Sequence, residues 1–255
     1  MRLALAYDGT GYHGFGIQPG RRTIQETLEE TLSEALDERV RVTAAGRTDA
    51  GVHASGQVVS FKTRGRLAPD ELMRAGNARL PDDIQILGAE EAPASFDARR
   101  SALGRRYRYT IWNRPLPNLW QRYYTWHVPE RLSVPAMNEA ASLLVGRHDF
   151  GAFLGQAARE PASRSTVRVV TRSDWLKDGG HLYYDITADA FLRHMVRGIV
   201  GTLVWVGQGR LNVRQFEQIL DSGDRRRAGP NAPAQGLMLV GVDYENEPLL
   251  GDSRQ

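Results

Sequence analysis

Leu3, Leu5 and Tyr7 alternate with Arg2, Ala4 and Ala6, the two-residue period of a strand with one buried face. Residues 8–20 carry five glycines and read as a long flexible loop of the kind that sits at a surface and carries function. Thr23-Ile24-Gln25-Glu26 is a capping-box pattern, and Ile24, Leu28, Leu32 and Leu36 follow at helical spacing. Alternation returns at Val40-Arg41-Val42-Thr43 and at Gln57-Val58-Val59-Ser60-Phe61, two strands on either side of a glycine-containing loop. Pro69-Asp70-Glu71 opens a second helix that Pro81 stops, and Asp83-Ile84-Gln85-Ile86-Leu87 reads as another strand. The first hundred residues thus read β-α-β-β-α-β, a ferredoxin-like order.

The second half is a looser variation on that order. Gly104–Trp112 predicts a strand with Tyr107, Tyr109 and Ile111 on one face and Arg106, Arg108 and Thr110 on the other. A strand over 123–128 leads to a helix carrying Met137, Ala141 and Leu144. Residues 165–175 and 181–187 form a hairpin around Gly179-Gly180. Phe191 begins a helix with Met195, Ile199 and Leu203 as its apolar stripe, Asn212 caps a shorter helix, and 236–244 supplies a last strand. The fold class is α+β. The division is a half over 1–103, with the glycine-containing loop, and a half over 104–255. A linker lies near 101–104, although a continuous sheet could join the halves. The tail after Glu245 frays.

Composition narrows the classes. The chain holds no cysteine, which excludes disulfides, thiolate metal sites and cysteine nucleophiles. No apolar run is long enough to span a bilayer and the chain begins directly with a strand pattern, so the expectation is a cytoplasmic protein with no membrane partner. The net charge of +3 is a weak argument for nucleic acid. More telling is that Lys62 and Lys177 are the only lysines, so the remaining strong bases are arginines, which fork onto phosphates and stack on bases. Six arginines fall within 99–114, interleaved with aromatics.

The candidate chemistry lies in residues 44–54. Gly46 and Gly51 flank Arg47, Thr48 and Asp49, so the backbone can bring a carboxylate against a ligand, with Arg47 available to a phosphate. The same residues also suit an ordinary Asx-type turn. Two other readings stay open on the residues alone. A metal-dependent hydrolase could use His13, Asp49, His53, His148 and Asp149, although no His-Glu-x-x-His spacing occurs. A non-catalytic RNA-binding module could be built on ferredoxin-like halves, although the aromatic signature of an RNA-recognition motif is missing.

The string Gly46-Arg47-Thr48-Asp49-Ala50-Gly51-Val52-His53-Ala54, followed by Gly56-Gln57-Val58, resembles the signature of the TruA family of tRNA pseudouridine synthases. Five further segments resemble that family in register: Tyr7-Asp8-Gly9-Thr10, Phe96-Asp97-Ala98-Arg99, Arg106-Tyr107-Arg108-Tyr109, His148-Asp149-Phe150, and the run from Ala190 to Arg197. The family places a glutamine near Gly16, whereas this chain has Gln18.

The resemblance implies two ferredoxin-like halves sharing a mainly antiparallel sheet with a central cleft. It also implies isomerisation of uridine to pseudouridine at positions 38–40 of the tRNA anticodon arm, by a homodimer needing neither metal nor cofactor. Asp49 maps to the catalytic carboxylate and Arg197 to the cation that keeps it ionised. Tyr107 maps to the tyrosine packed on the target base and Leu237 to the apolar side of its pocket, while Arg47, on its own chemistry, is expected to bind substrate through a phosphate. Arg193 and Arg197, four apart, are expected on one helix face. The arginines of 99–114 and the segment 156–164 are expected to grip tRNA from the neighbouring subunit.

Overall fold

The computed structural model describes residues 1–155 and 165–245. The segment 156–164, expected to grip RNA, and the tail beyond Glu245 lie outside the described residues. The described chain is mixed α+β. In order it runs β1 (Arg2–Tyr7), α1 (Ile24–Leu36), β2 (Thr43–Ala44), β3 (His53–Ser60), α2 (Pro69–Asn77), β4 (Ile84–Glu90), β5 (Gly104–Trp112) and β6 (Trp126–His127). Then follow α3 (Val134–Ser142), β7 (Gly146–Asp149), β8 (Val167–Asp178), β9 (His181–Ala188), α4 (Met195–Gly207), α5 (Val213–Ser222) and β10 (Leu237–Asp243). Most strand pairs are antiparallel; β10 on β3 and β6 on β5 are parallel.

Two compact units divide the chain. The first runs from Met1 to Arg105 and takes in the last strand from Met238 onward, residues that the sequence pattern alone groups with the C-terminal half. Its strands lie in the order β4-β1-β3, with β2 on the free edge of β3 at Val59 and Ser60. Order β4-β1-β3-β2, all antiparallel, is the ferredoxin-like arrangement. The same edge of β3 takes β10 at its other end, through Met238 opposite His53 and Leu239 opposite Ala54. Helix α1 starts where Thr23 Oγ1 accepts the Glu26 N–H, and it buries Ile24, Leu28 and Leu32. The strand expected over Val40–Thr43 shrinks to Thr43–Ala44. Val42 N–H is instead taken by the buried carboxylate of Glu29, which also pairs with Arg41.

The second unit spans Arg106–Leu237, with strand order β5-β9-β8-β7 and β6 beside β5. Its hairpin turns at Gly179-Gly180, where expected, Gly179 taking φ +56°. Helix α3 lies along β8, with the Asn138 carboxamide bonding both backbone groups of Trp175 (2.7 and 2.9 Å). Helix α4 is buried almost all round: Met195, Ile199, Val200 and Leu203 are fully enclosed. The shorter helix is capped as expected, Asn212 and Gln215 bonding each other's backbone N–H. The strand expected over 123–128 narrows to Trp126–His127, because the chain before it folds back on its own side chains.

Candidate active site

The loop joining β2 to β3 carries Asp49, and it is locked from several sides. At its entrance Ala45 N–H donates to Val58 O (2.8 Å), while Ala45 O accepts two bonds from the buried Arg105 guanidinium (3.2 and 2.9 Å). Gly46 O accepts from Gln57 Nε2 at 2.6 Å, and Gln57 is fully buried on β3. Thr48 Oγ1 shares a proton with Tyr7 OH at 2.9 Å, and Thr48 O accepts Phe15 N–H at 3.0 Å. Asp49 O accepts Val52 N–H (3.1 Å) and Gly51 N–H reaches Tyr12 O (3.3 Å), closing the turn. Buried backbone groups must find partners, and here side chains of β1, β3 and β5 supply them.

The stretch 8–20 is therefore no free loop. Tyr12 and Phe15 are buried, and the segment hydrogen-bonds to both ends of the Asp49 turn. Two glycines make that approach possible. A Cβ on Gly9 would stand 2.1 Å from Val52 O, and Gly14, at φ +93°, would place one 2.8 Å from Thr48 O. The result holds Asp49 half-buried and leaves Arg47 exposed beside Gly16. Burial pushes the Tyr7 hydroxyl up to about 12, so it remains a neutral donor and acceptor in the middle of this lock.

Asp49 and Arg47 belong to the first unit; Tyr107, Arg197 and Leu237 belong to the second. Tyr107 is buried on β5, its ring edge-on to Phe191 with centroids 5.1 Å apart. Arg197 sits in the first turn of α4, half-buried, with Nε donating to Ala232 O (2.7 Å) while Ala232 N–H returns a bond to Arg197 O (2.9 Å). Leu237 is buried where β10 begins.

The helix expected from Phe191 begins four residues later, at Met195. His194 takes a left-handed backbone (φ +63°), a conformation that an α-helix of L-residues does not propagate. Arg193 is thus exposed before the helix rather than one turn below Arg197 on its face.

The histidines proposed as alternative ligands have other surroundings. His53 Nδ1 accepts Gly9 N–H at 3.1 Å and lies 3.1 Å from Asp8 Oδ1, while His148 Nε2 faces Val145 O and Asp149 caps Gly151 N–H. Among the described residues no group of three or more His, Cys, Asp or Glu side chains could hold a metal ion. Sequence reasoning missed the supporting set, Tyr7, Gln57 and Arg105. The signal was a polar group at an inward strand position, which needs a buried partner.

Comparison with known proteins bears on what this loop does. A family model described as tRNA pseudouridine synthase matches residues 3–99 and 140–245 of the chain. The tRNA pseudouridine synthase A of Geobacillus kaustophilus is 43% identical over 252 residues, covering 98% of this chain and 96% of its own. That of Methylobacterium sp. (strain 4-46) is 46% identical over 244 residues, covering 95% and 96%. That of Chloroflexus aurantiacus is 46% identical over 253 residues, covering 96% and 88%. The crystal structure of a Cbf5-Nop10-Gar1 complex overlaps 95% of this chain and 59% of its own, at TM-score 0.38 and 11% identity, a likeness too low to carry an inference.

Proposed function

Because the chain belongs to the family of tRNA pseudouridine synthases, we propose that Asp49 is its catalytic carboxylate and that its targets are uridines 38–40 of the anticodon arm. The chain is an isomerase that converts uridine to pseudouridine in tRNA. The reaction breaks the bond from ribose C1′ to uracil N1, turns the base, and joins C1′ to C5. N1 gains a proton and C5 loses one, so atoms and electrons balance without a redox partner.

A carboxylate can serve such a reaction as nucleophile or base, provided that the uridine leaves the stack and enters a pocket sheltered from water. The observation that carries the assignment to Asp49 is the lock around its loop. Both backbone neighbours, Thr48 and the Ala45-Gly46 entrance, are fixed by buried side chains, while the carboxylate stays half-buried. A group so held loses little freedom on meeting its substrate. Arg197 is assigned the task of keeping that carboxylate ionised, since a poorly solvated carboxylate otherwise takes up a proton. Tyr107 stacks on the base and assists proton movement, Leu237 forms the apolar side of the base pocket, and Arg47 contacts the tRNA backbone.

The reading extends to a cytoplasmic homodimer. Among the described residues no helix is long and apolar enough to cross a membrane. Mapping pseudouridine in tRNA transcripts after incubation with the purified chain tests the proposal. Conversion confined to positions 38–40 is expected. Conversion only elsewhere in the tRNA would overturn the anticodon-arm assignment.

A further inference from the structure

Three arginines in a row, Arg225-Arg226-Arg227, lie between α5 and β10 in the second unit. As a string they suit a phosphate backbone, yet the fold sends them in different directions. Arg226 is exposed and forks onto Asp224 (Nε to Oδ1 3.0 Å, Nη2 to Oδ2 2.7 Å), and Arg227 is exposed with Nη1 3.4 Å from Gln218 O. Arg225 turns inward and is half-buried. Its Nη1 donates to Gly229 O (2.7 Å) and Ala228 O (3.3 Å), and its Nη2 to the Asn231 carboxamide oxygen (3.1 Å).

Arg225 holds a strap. Residues 228–233 include Gly229, Pro230 and Pro233 and form neither helix nor strand, so their buried backbone groups need partners from outside the segment. Helix α4 supplies one side. Gly229 N–H donates to Thr202 Oγ1 (2.9 Å) and Ala232 N–H to Arg197 O (2.9 Å), and a Cβ on Gly201 would stand 1.8 Å from Pro230 O. Side chains meet the carbonyls. Arg225 takes those of Ala228 and Gly229, Arg197 Nε that of Ala232 (2.7 Å), and the Tyr109 hydroxyl that of Pro233 (2.8 Å).

The place of Ala232 O thus depends on the rest of the strap. Among the described residues the acceptors of Arg225 are all neutral oxygens, and burial pulls its pKa below the ordinary guanidinium value. A charged donor grips a carbonyl more firmly than a neutral one does, which suits a group that has to hold backbone in place. Asn231 carries the same hold to the start of α4. Its Nδ2 lies 3.5 Å from Nδ1 of His194, the residue whose left-handed backbone precedes the first turn of that helix.

We propose that Arg225 is a positioning residue: by pinning the 228–232 strap it fixes Ala232 O, and through that carbonyl the direction of the Arg197 guanidinium. The inference rests on the role assigned to Arg197 above, and the test separates the two. Single-turnover conversion of tRNA, at saturating and subsaturating enzyme, is compared in the parent, Arg225→Met, Arg225→Lys, Arg197→Met and the double variant. Filter binding follows tRNA affinity and circular dichroism checks folding. Arg225→Met should lower the saturated rate between about tenfold and a hundredfold and leave tRNA affinity within about threefold of the parent's. Arg225→Lys, still a charged donor, should recover most of that loss. In the Arg197→Met background, Arg225→Met should cost less than about twofold more, because residues that act through one another are not additive.

Parent-like conversion by Arg197→Met would refute the role of Arg197 and this proposal with it. A slow Arg197→Met beside a parent-like Arg225→Met would keep the first and overturn the second. Losses that multiply in the double variant would also overturn it, since they mark independent damage. Weakened tRNA binding with an unchanged saturated rate would assign Arg225 to RNA instead. A further variant covers an Arg225→Met that fails to fold: Asn231→Ala removes one acceptor and keeps the guanidinium. It should slow saturated conversion about threefold or more, and only while Arg197 is present. A parent-like rate in that variant would overturn the proposal.

Discussion

The segments carrying Asp49 and Arg197 are held by different physics. Asp49 stands on a loop fixed by polar groups: Gln57, Thr48, Tyr7 and Arg105 each satisfy buried backbone or side-chain atoms, and Gly9 and Gly14 let neighbouring backbone approach. Arg197 stands on a helix fixed by apolar burial, with a left-handed His194 setting where its first turn begins. A loop locked by hydrogen bonds has few tolerable substitutions, since each lost partner strands another buried group. A helix sunk in a core fixes the Cα of its arginine firmly, and the long side chain reaches from it to donate to the Ala232 carbonyl. The first arrangement suits the role proposed for Asp49, to attack or take a proton at one place; the second suits the role proposed for Arg197, to supply a positive charge.

Apart from replacing Asp49 itself, Arg197→Met should give the largest change, because it removes the proposed counter-charge while α4 keeps its packing. Single-turnover conversion of tRNA should fall about 10³-fold, with tRNA affinity changed less than about tenfold. Arg197→Lys should fall between that variant and the parent, as a point charge without the fork. Equal rates in all three would remove Arg197 from the chemistry.

Gly9→Ala turns the comparison round by breaking the polar lock. The new Cβ would meet Val52 O at 2.1 Å and Val52 C at 2.7 Å, both backbone atoms that cannot swing aside. Unfolding in denaturant should show a loss of about 3 kcal/mol, and activity should fall with it. A variant as stable as the parent would show that the loop has slack.

Tyr7→Phe is the gentlest probe, costing about 1 kcal/mol near neutral pH through the lost Thr48 and Gln57 partners. Its signature is in alkali. Burial holds the folded Tyr7 proton to about pH 12, whereas an unfolded tyrosine releases it near pH 10. Between those values the folded state binds more protons, so stability falls as pH rises. Chemical denaturation across pH 9–11 should show a shallower fall in Tyr7→Phe than in the parent. Parallel slopes would mean that Tyr7 titrates alike in both states.

Much of the first unit was legible because its periodicity is local. Alternation in β1 and β3, the Thr23 cap and the proline at the start of α2 each announce an element within a few residues. The Asp49 loop was legible as a string with its glycines, yet its support was not, since Tyr7 and Arg105 lie 41 and 60 residues from their partners in the chain. His194 defeated the helix start for a related reason. A left-handed residue other than glycine has no local signature; here Gly155 N–H holds Arg193 O from a distant segment. The return of β10 to the first unit is likewise a pairing with β3 across the length of the chain, which no short-range pattern encodes.

The central claim is that a locked Asp49 does the chemistry. The most direct test is single-turnover conversion of tRNA by Asp49→Asn, alongside its tRNA affinity and its melting curve. The amide has nearly the same shape but can act neither as nucleophile nor as base. The account predicts a folded protein with tRNA affinity near the parent's and conversion lower by about 10⁴-fold or more. A pure preparation of the variant that turned over at a substantial fraction of the parent rate would contradict it.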